Sequence, residues 1–116
     1  MTINMAAFEV GETLSTTEWS FTTDTAGPDA QTTPGVYQFF IDLNVLATGD
    51  VYIFRIYEKV FAAGTQRLVW KAVVSGAQNE PVLVTPTLIL GHGWDLTGVK
   101  VSGTDRLIQV STRSIT

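Results

Sequence analysis

The segment from Val36 to Val45 constrains the fold more than any other feature, because its side chains alternate between apolar and polar. One face carries Tyr37, Phe39, Ile41, Leu43 and Val45. A period of two places successive side chains on opposite sides of an extended strand. No segment of eleven or more residues has the apolar spacing of an amphipathic helix. Thr, Val and Ile, which pack well on a pleated surface, make up about a third of the chain. The chain is therefore predicted to be all-β.

Closely spaced turn residues divide the chain into seven predicted strands. These are residues 12–23, 36–45, 50–61, 66–75, 81–90, 94–102 and 106–115. Residues 62–65 are short enough for a hairpin loop. Pro81 and Pro86 cannot donate ladder hydrogen bonds, so the fifth strand is expected at a sheet edge or to be broken by a bulge. The pattern predicts a single antiparallel β-sandwich, jelly-roll-like or immunoglobulin-like, of about seven to eight strands.

A length of 116 residues suits one domain, divided here into an N-terminal arm, residues 1–11, and a sandwich, residues 12–116. The arm has little alternation but carries Ile3, Met5 and Phe8. We expect these side chains either to pack back on the sandwich or to be held by a neighbouring chain.

Composition argues against several classes of partner. The chain has 11 acidic and 7 basic residues, a net charge of −4, so nucleic acid is not an expected partner. No apolar run is long enough for a membrane span, and the N-terminal sequence lacks the basic region of a secretory signal. The absence of cysteine excludes disulfides, thiolate zinc sites and thiol catalysis.

The residues that could carry catalysis are sparse. His92, the one histidine, lies between two glycines, and no G-x-S-x-G motif accompanies it. The carboxylates are scattered, and none has the spacing of a calcium loop or a zinc site. The chain is therefore expected not to be an enzyme and to need no metal or cofactor. A small hydrolase with His92 as its base is the alternative.

Surplus apolar surface is the strongest functional signal in the residues themselves. Residues 51–57 are apolar on both faces of the predicted strand, whereas a strand with water on one side alternates. With no helix to cover the second face, a partner chain is expected there, and long loops are the alternative cover. The expected contact residues are Ile3, Met5, Phe8, Tyr52, Phe54, Tyr57 and Trp94.

Aromatic residues leave a second function open. Trp94 and exposed tyrosines could stack on sugar rings in a carbohydrate- or receptor-binding module. Trp19 and Trp70 lie on the apolar sides of their predicted strands and are expected in the core. At least partial burial is also the favoured interpretation for Trp94.

Four phrases carry a family resemblance: TLSTTEWSFTTDTAGP, GVYQFFIDLN, RIYEKV and PTLILGHGWDLTG. They span residues 13–98 and resemble small proteins encoded in the virion-structure gene clusters of tailed bacteriophages. The resemblance implies a capsid cement or decoration protein, made in the host cytoplasm and bound as a homo-oligomer, with a trimer favoured, to the major capsid protein. A neck or tail structural protein is the alternative that it implies. No residue role is carried over from it.

Overall fold

The computed structural model describes residues 2–4 and 9–115, which form eleven strands. Among these residues, no helix is long and apolar enough to cross a membrane. The strands are β1 (Ile3–Asn4), β2 (Val10–Leu14), β3 (Trp19–Ser20), β4 (Thr25–Ala26), β5 (Gly35–Asp42), β6 (Val51–Glu58), β7 (Arg67–Ser75), β8 (Val82–Val84), β9 (Leu88–Leu90), β10 (Asp95–Ser102) and β11 (Arg106–Ile115).

The strands form two antiparallel sheets packed face to face, which confirms the predicted β-sandwich. In sheet A, β11 and β5 are central: β1 and β2 pair with β11 on one side, and β8 and β9 pair with β5 on the other. Sheet B has the order β4-β3-β10-β6-β7. The predicted hairpin around residues 62–65 is the β6–β7 connection.

The strand count exceeds the prediction because two predicted strands are broken and because β1 and β4 form outside the predicted strands. The first becomes β2 and β3, which belong to different sheets, and the Ser15 carbonyl at the corner accepts the Lys100 N–H. The fifth becomes β8 and β9, both edge partners of β5, as the prolines indicated. At the break, the Thr85 hydroxyl accepts the Phe39 N–H and its own N–H donates to the Phe39 carbonyl.

The core lies between the sheets and is built from the inward faces of the long strands. From sheet A, β5 contributes Tyr37, Phe39 and Ile41, and Leu43 follows them into the core. Val45, which the alternation placed on the same face, lies beyond the end of β5 and is 43% exposed. Sheet B approaches closely at Gly98, where a Cβ would lie 2.8 Å from carbons of the Leu14 and Phe21 side chains. The largest fully buried side chain is Trp94, whose ring lies 4.4 Å from that of Tyr37.

Both described parts of the predicted arm contribute to sheet A. Ile3 pairs with Ile115, and Val10 pairs with Val110. Met5 and Phe8 lie outside the described residues.

Candidate interaction surface

Four β-branched apolar side chains form a row across the outer face of sheet A. Ile3 is opposite Ile115, Ile115 is opposite Val36, and Val36 is opposite Ile89. Side chains that are opposite in register share a face. Tyr37, the next residue of β5, is buried, so Val36 and its row point away from the core.

The β6–β7 hairpin loop places two further apolar side chains at the same end of the sandwich. Val60 lines a shallow groove of about 590 Å³ together with Val36 and Ile89, and Phe61 follows it in the chain. A second groove, of about 300 Å³, continues from Val36 to Ile115 and Ile3. Together these residues form a surface, the apolar end, which consists of Ile3, Val36, Val60, Phe61, Ile89 and Ile115.

The apolar end holds the four most exposed large apolar side chains among the described residues. Ile89 is 86% exposed, Val60 79%, Phe61 77% and Ile3 62%. These residues come from β9, the hairpin loop and β1, so the fold collects them from distant parts of the sequence. Scattered exposed apolar residues are ordinary, but a contiguous group marks a surface that contacts something.

Side-chain hydrogen bonds hold the loops beneath the apolar end. The Glu58 carboxylate accepts the backbone N–H groups of Gly91 at 2.7 Å and His92 at 3.0 Å. The Gln66 side-chain amide donates to the carbonyls of Asp29 at 2.6 Å and Gly93 at 3.0 Å. Side chains at the two ends of the β6–β7 hairpin loop thus hold the backbone of the β9–β10 loop.

A buried carboxylate, Asp95, ties residues 21–34 to the same end of the sandwich. It accepts hydrogen bonds from the hydroxyls of Ser20 at 2.9 Å and Thr22 at 2.5 Å, and from the Asp29 N–H at 2.8 Å. Burial raises the pKa of Asp95 from its ordinary value, against the opposing effect of these hydrogen bonds. The network fixes the loop that lies beside the β9–β10 connection.

Polar side chains border the apolar end on sheet A. Gln38 and Arg113 form the neighbouring pair in register, and the Arg113 guanidinium lies 3.6 Å from the centre of the Phe40 ring. This is a cation–π contact. An apolar centre with a polar border is the usual composition of a protein–protein interface.

The structure corrects three of the contact residues expected from the sequence. Tyr52, Phe54 and Trp94 are 0% exposed, so their side chains offer no surface to a partner or to a sugar ring. In β6 the even-numbered side chains Tyr52, Phe54 and Ile56 face the core, whereas the expectation placed Tyr52 and Phe54 in a partner contact. The Trp94 indole N–H donates to the Thr33 carbonyl inside the molecule, in line with the favoured burial.

The other expected contact residues fall in different places. Ile3 belongs to the apolar end. Tyr57 is half-buried on the outer face of sheet B, and its hydroxyl donates to Glu18 at 2.6 Å. Burial, followed by the nearby Glu18 carboxylate, raises the pKa of Tyr57. Met5 and Phe8 lie outside the described residues.

Sequence reasoning missed Val60, Phe61 and Ile89. Val60 and Phe61 were assigned to the end of a predicted strand, although two consecutive apolar residues just before Ala-Ala-Gly place at least one of them outside the alternating pattern. Ile89 lies in the predicted strand 81–90, between Leu88 and Leu90, where no alternation separates inward from outward positions. Pro86 was the available sign that this run is divided.

The structure places His92 in the exposed β9–β10 loop, where it lines the same shallow groove as Val60 and Ile89, and the Glu58 carboxylate beside it is engaged by the loop backbone. Within residues 2–4 and 9–115, no three potential His, Cys, Asp or Glu ligands are grouped as a metal site requires.

No protein-family model, curated protein or solved structure matches the chain. The role of the apolar end is therefore inferred from its own residues and their geometry.

Proposed function

We propose that this protein is a non-enzymatic structural protein of a tailed-phage virion, a capsid cement protein whose apolar end docks on the major capsid protein. One observation carries the proposal: Ile89, Val60, Phe61 and Ile3, the four most exposed large apolar side chains described, lie together at one end of the sandwich. The family resemblance of residues 13–98 supplies the kind of partner.

Burial of apolar surface drives the proposed attachment. Each Å² of apolar surface removed from water contributes about 25 cal/mol before the costs of association. Ile89 and Phe61, which are 86% and 77% exposed, act as the anchors that enter hollows of the shell surface. A shell with many bound copies must re-expose all of this area when it comes apart, so it becomes harder to disassemble.

The fixed loops support a docking role for the apolar end. The Glu58 and Gln66 side chains already satisfy backbone groups of the β9–β10 loop and of Asp29. Binding therefore costs little conformational entropy of the backbone, and a rigid surface binds more tightly than a flexible one of the same area.

The test is attachment to purified shells that lack this protein, measured by co-sedimentation. The double variant F61S/I89S removes two exposed anchors, and we expect its affinity for shells to fall by about a hundredfold or more. The matched control is V45S/V101S, which removes two apolar side chains of 43% and 53% exposure away from the apolar end. Equal attachment of native protein and F61S/I89S would overturn the assignment of the apolar end.

The number of copies in purified particles separates the two virion positions. A copy number comparable with that of the shell protein supports a cement protein, whereas a handful of copies per particle indicates the neck or tail. Absence from the particles would contradict a virion role.

A further inference from the structure

Strand β7 is a long, unprotected edge of sheet B. It runs for nine residues, Arg67–Ser75, and within the described residues it pairs only with β6. Leu68, Val69 and Val73 on it are 46%, 49% and 56% exposed. The free side of such a strand presents unpaired backbone N–H and C=O groups, which is a template for another extended segment.

The other described edges are short or interrupted. On the same side of the molecule, β8 and β9 have three residues each, and Pro81 and Pro86 flank β8. On the opposite side, β4 has two residues and is followed by Gly27-Pro28. Short strands and prolines are the usual protections against edge pairing, and β7 has neither.

The charge of β7 selects what can pair with it. Arg67 and Lys71 lie on the strand, and residues 59–79 contain no acidic residue. Arg55, directly opposite Lys71 on the neighbouring strand, is already paired with the Glu18 carboxylate at 3.4 Å, so Arg67 and Lys71 are the basic side chains that this edge offers. Two β7 edges facing each other bring two basic strands together, and like charges at short distance oppose pairing. An acidic extended segment is the favoured occupant.

The chain itself carries such a segment. No lysine or arginine precedes Arg55, whereas residues 1–54 contain seven acidic residues. Two of these are Glu9, which is exposed, and Glu12, which is half-buried on β2. Within the described residues, β2 pairs only with β11, so its other backbone edge has no strand partner.

The basic edge and the acidic edge lie on opposite sides of the sandwich. Residues of β7 and β8 line one groove, which places β7 on the β8 side. Strand β2 lies instead over β10, where Leu14 approaches Gly98. One copy therefore presents a basic edge to one side and an acidic edge to the other.

From this complementarity we propose that β7 of one copy pairs with β2 of a second copy. The contact is head-to-tail, so it builds a closed ring if the rotation between copies closes and a filament if it does not. The β7–β2 contact uses neither Phe61 nor Ile89. It goes beyond the proposed attachment to a shell, and either proposal can fail while the other holds.

Charge reversal with sedimentation equilibrium of the full chain tests the pairing. We expect the native chain to sediment above its monomer mass, and its association to weaken by about tenfold or more at high salt, where exposed charges are screened. R67E/K71E and E9K/E12K are each expected to be monomeric.

The matched control E80K reverses an exposed acid outside both strands and is expected to keep the native mass. Thermal unfolding of each variant verifies that the fold is retained, and the salt series on the native chain tests the same contact if a variant fails to fold.

Mixing the two charge-reversed variants tests whether their association is lost at the β7–β2 contact or through an unrelated effect of the substitutions. In an equimolar mixture of R67E/K71E and E9K/E12K, unlike chains match at both contacts, acidic β7 with basic β2 and basic β7 with acidic β2, whereas like chains repel. We expect the mixture to regain assembly above the monomer mass, with the two variants alternating. The chain with all four reversals is expected to regain the native mass. A native chain that stays monomeric at low salt, or an E9K/E12K variant that assembles as the native chain does, would overturn the proposal. The second result would show that β7 accepts a different segment.

Discussion

The two ends of the sandwich handle their loops in different ways. At the apolar end, loops fixed by Glu58 and Gln66 present Phe61 and Ile89 to solvent. At the opposite end, called here the Asp50 end (residues 47–50 and 102–106), the loops close over polar groups that satisfy one another. The Tyr52 hydroxyl there donates to the Thr104 carbonyl and accepts the Arg106 N–H. One end is closed by internal bonds, while the other has apolar surface left over for a partner.

Each end also buries one aspartate, and the surroundings of the two carboxylates differ. Asp50 accepts the backbone N–H groups of Thr104 and Ala47 and pairs with Arg106 at 2.9 Å. These hydrogen bonds, the one from Thr104 first, lower the pKa of Asp50. Asp95 has hydroxyl and N–H donors but, within residues 2–4 and 9–115, no cation partner, and burial raises its pKa. Burial alone therefore does not decide the pKa of a carboxyl group; its partners do.

The largest predicted effect is the loss of Asp50. In Asp50→Ala, the N–H groups of Thr104 and Ala47 and the guanidinium of Arg106 lose their shared acceptor inside the molecule. Unpaired buried donors are costly. We expect the melting temperature to fall by about 10 °C or more, measured by circular dichroism.

Asp42→Ala is the matched control for this prediction. Asp42 is exposed, and the hydrogen bond recorded for its side chain comes from the Asn44 N–H. We expect a change of less than about 3 °C. Similar losses for the two variants would show that the Asp50 end is not closed by its carboxylate.

The next prediction concerns pH and separates the two aspartates by sign. The ordinary pKa of both is 3.8. A lowered pKa in the folded state means that Asp50 stabilises the protein above pH 3.8, and this contribution is lost as the pH falls below 3.8. A raised pKa means that ionised Asp95 costs stability at neutral pH. That cost is relieved as the pH falls through the raised value toward 3.8.

Urea unfolding of Asp50→Asn and Asp95→Asn across this range measures both contributions. The stability advantage of the native protein over Asp50→Asn is expected to shrink as the pH falls below 3.8. Its advantage over Asp95→Asn is expected to grow as the pH falls toward 3.8. Advantages that move in the same direction with pH would contradict the contrast between the two ends.

Much of the fold could be predicted because it follows from local patterns. The alternation in Val36–Val45 identified the inward face of β5, and Pro81 and Pro86 identified an edge. The division of residues 12–23 between two sheets was not predictable in the same way. It depends on a corner at Ser15, where Lys100, distant in the sequence, supplies the hydrogen bond.

The candidate surface was harder to predict because it depends on register between distant strands. The apolar run in β6 predicted a face covered by a partner, but the outer side chains Val51, Ile53 and Tyr57 are half-buried within the chain itself, and the composition of the run did not say which alternate set faces inward. A shift of one residue exchanges the two faces, and Tyr52 and Phe54 proved to be core. Ile3, Val36 and Ile115 become neighbours only through pairing to β11 and β5, which nothing in their local sequences records.

The smallest predicted effect on stability is at the apolar end. Val60 and Phe61 are 79% and 77% exposed, so they bury little on folding. We expect V60S/F61S to change the free energy of unfolding by less than about 0.5 kcal/mol. Phe54→Ala is the matched core variant, and because Phe54 is fully buried it is expected to cost about 3–5 kcal/mol. A large loss for V60S/F61S would mean that the hairpin loop contributes to the fold itself. A negligible loss, together with weakened shell attachment, would mean that the fold does not need these side chains and a partner does.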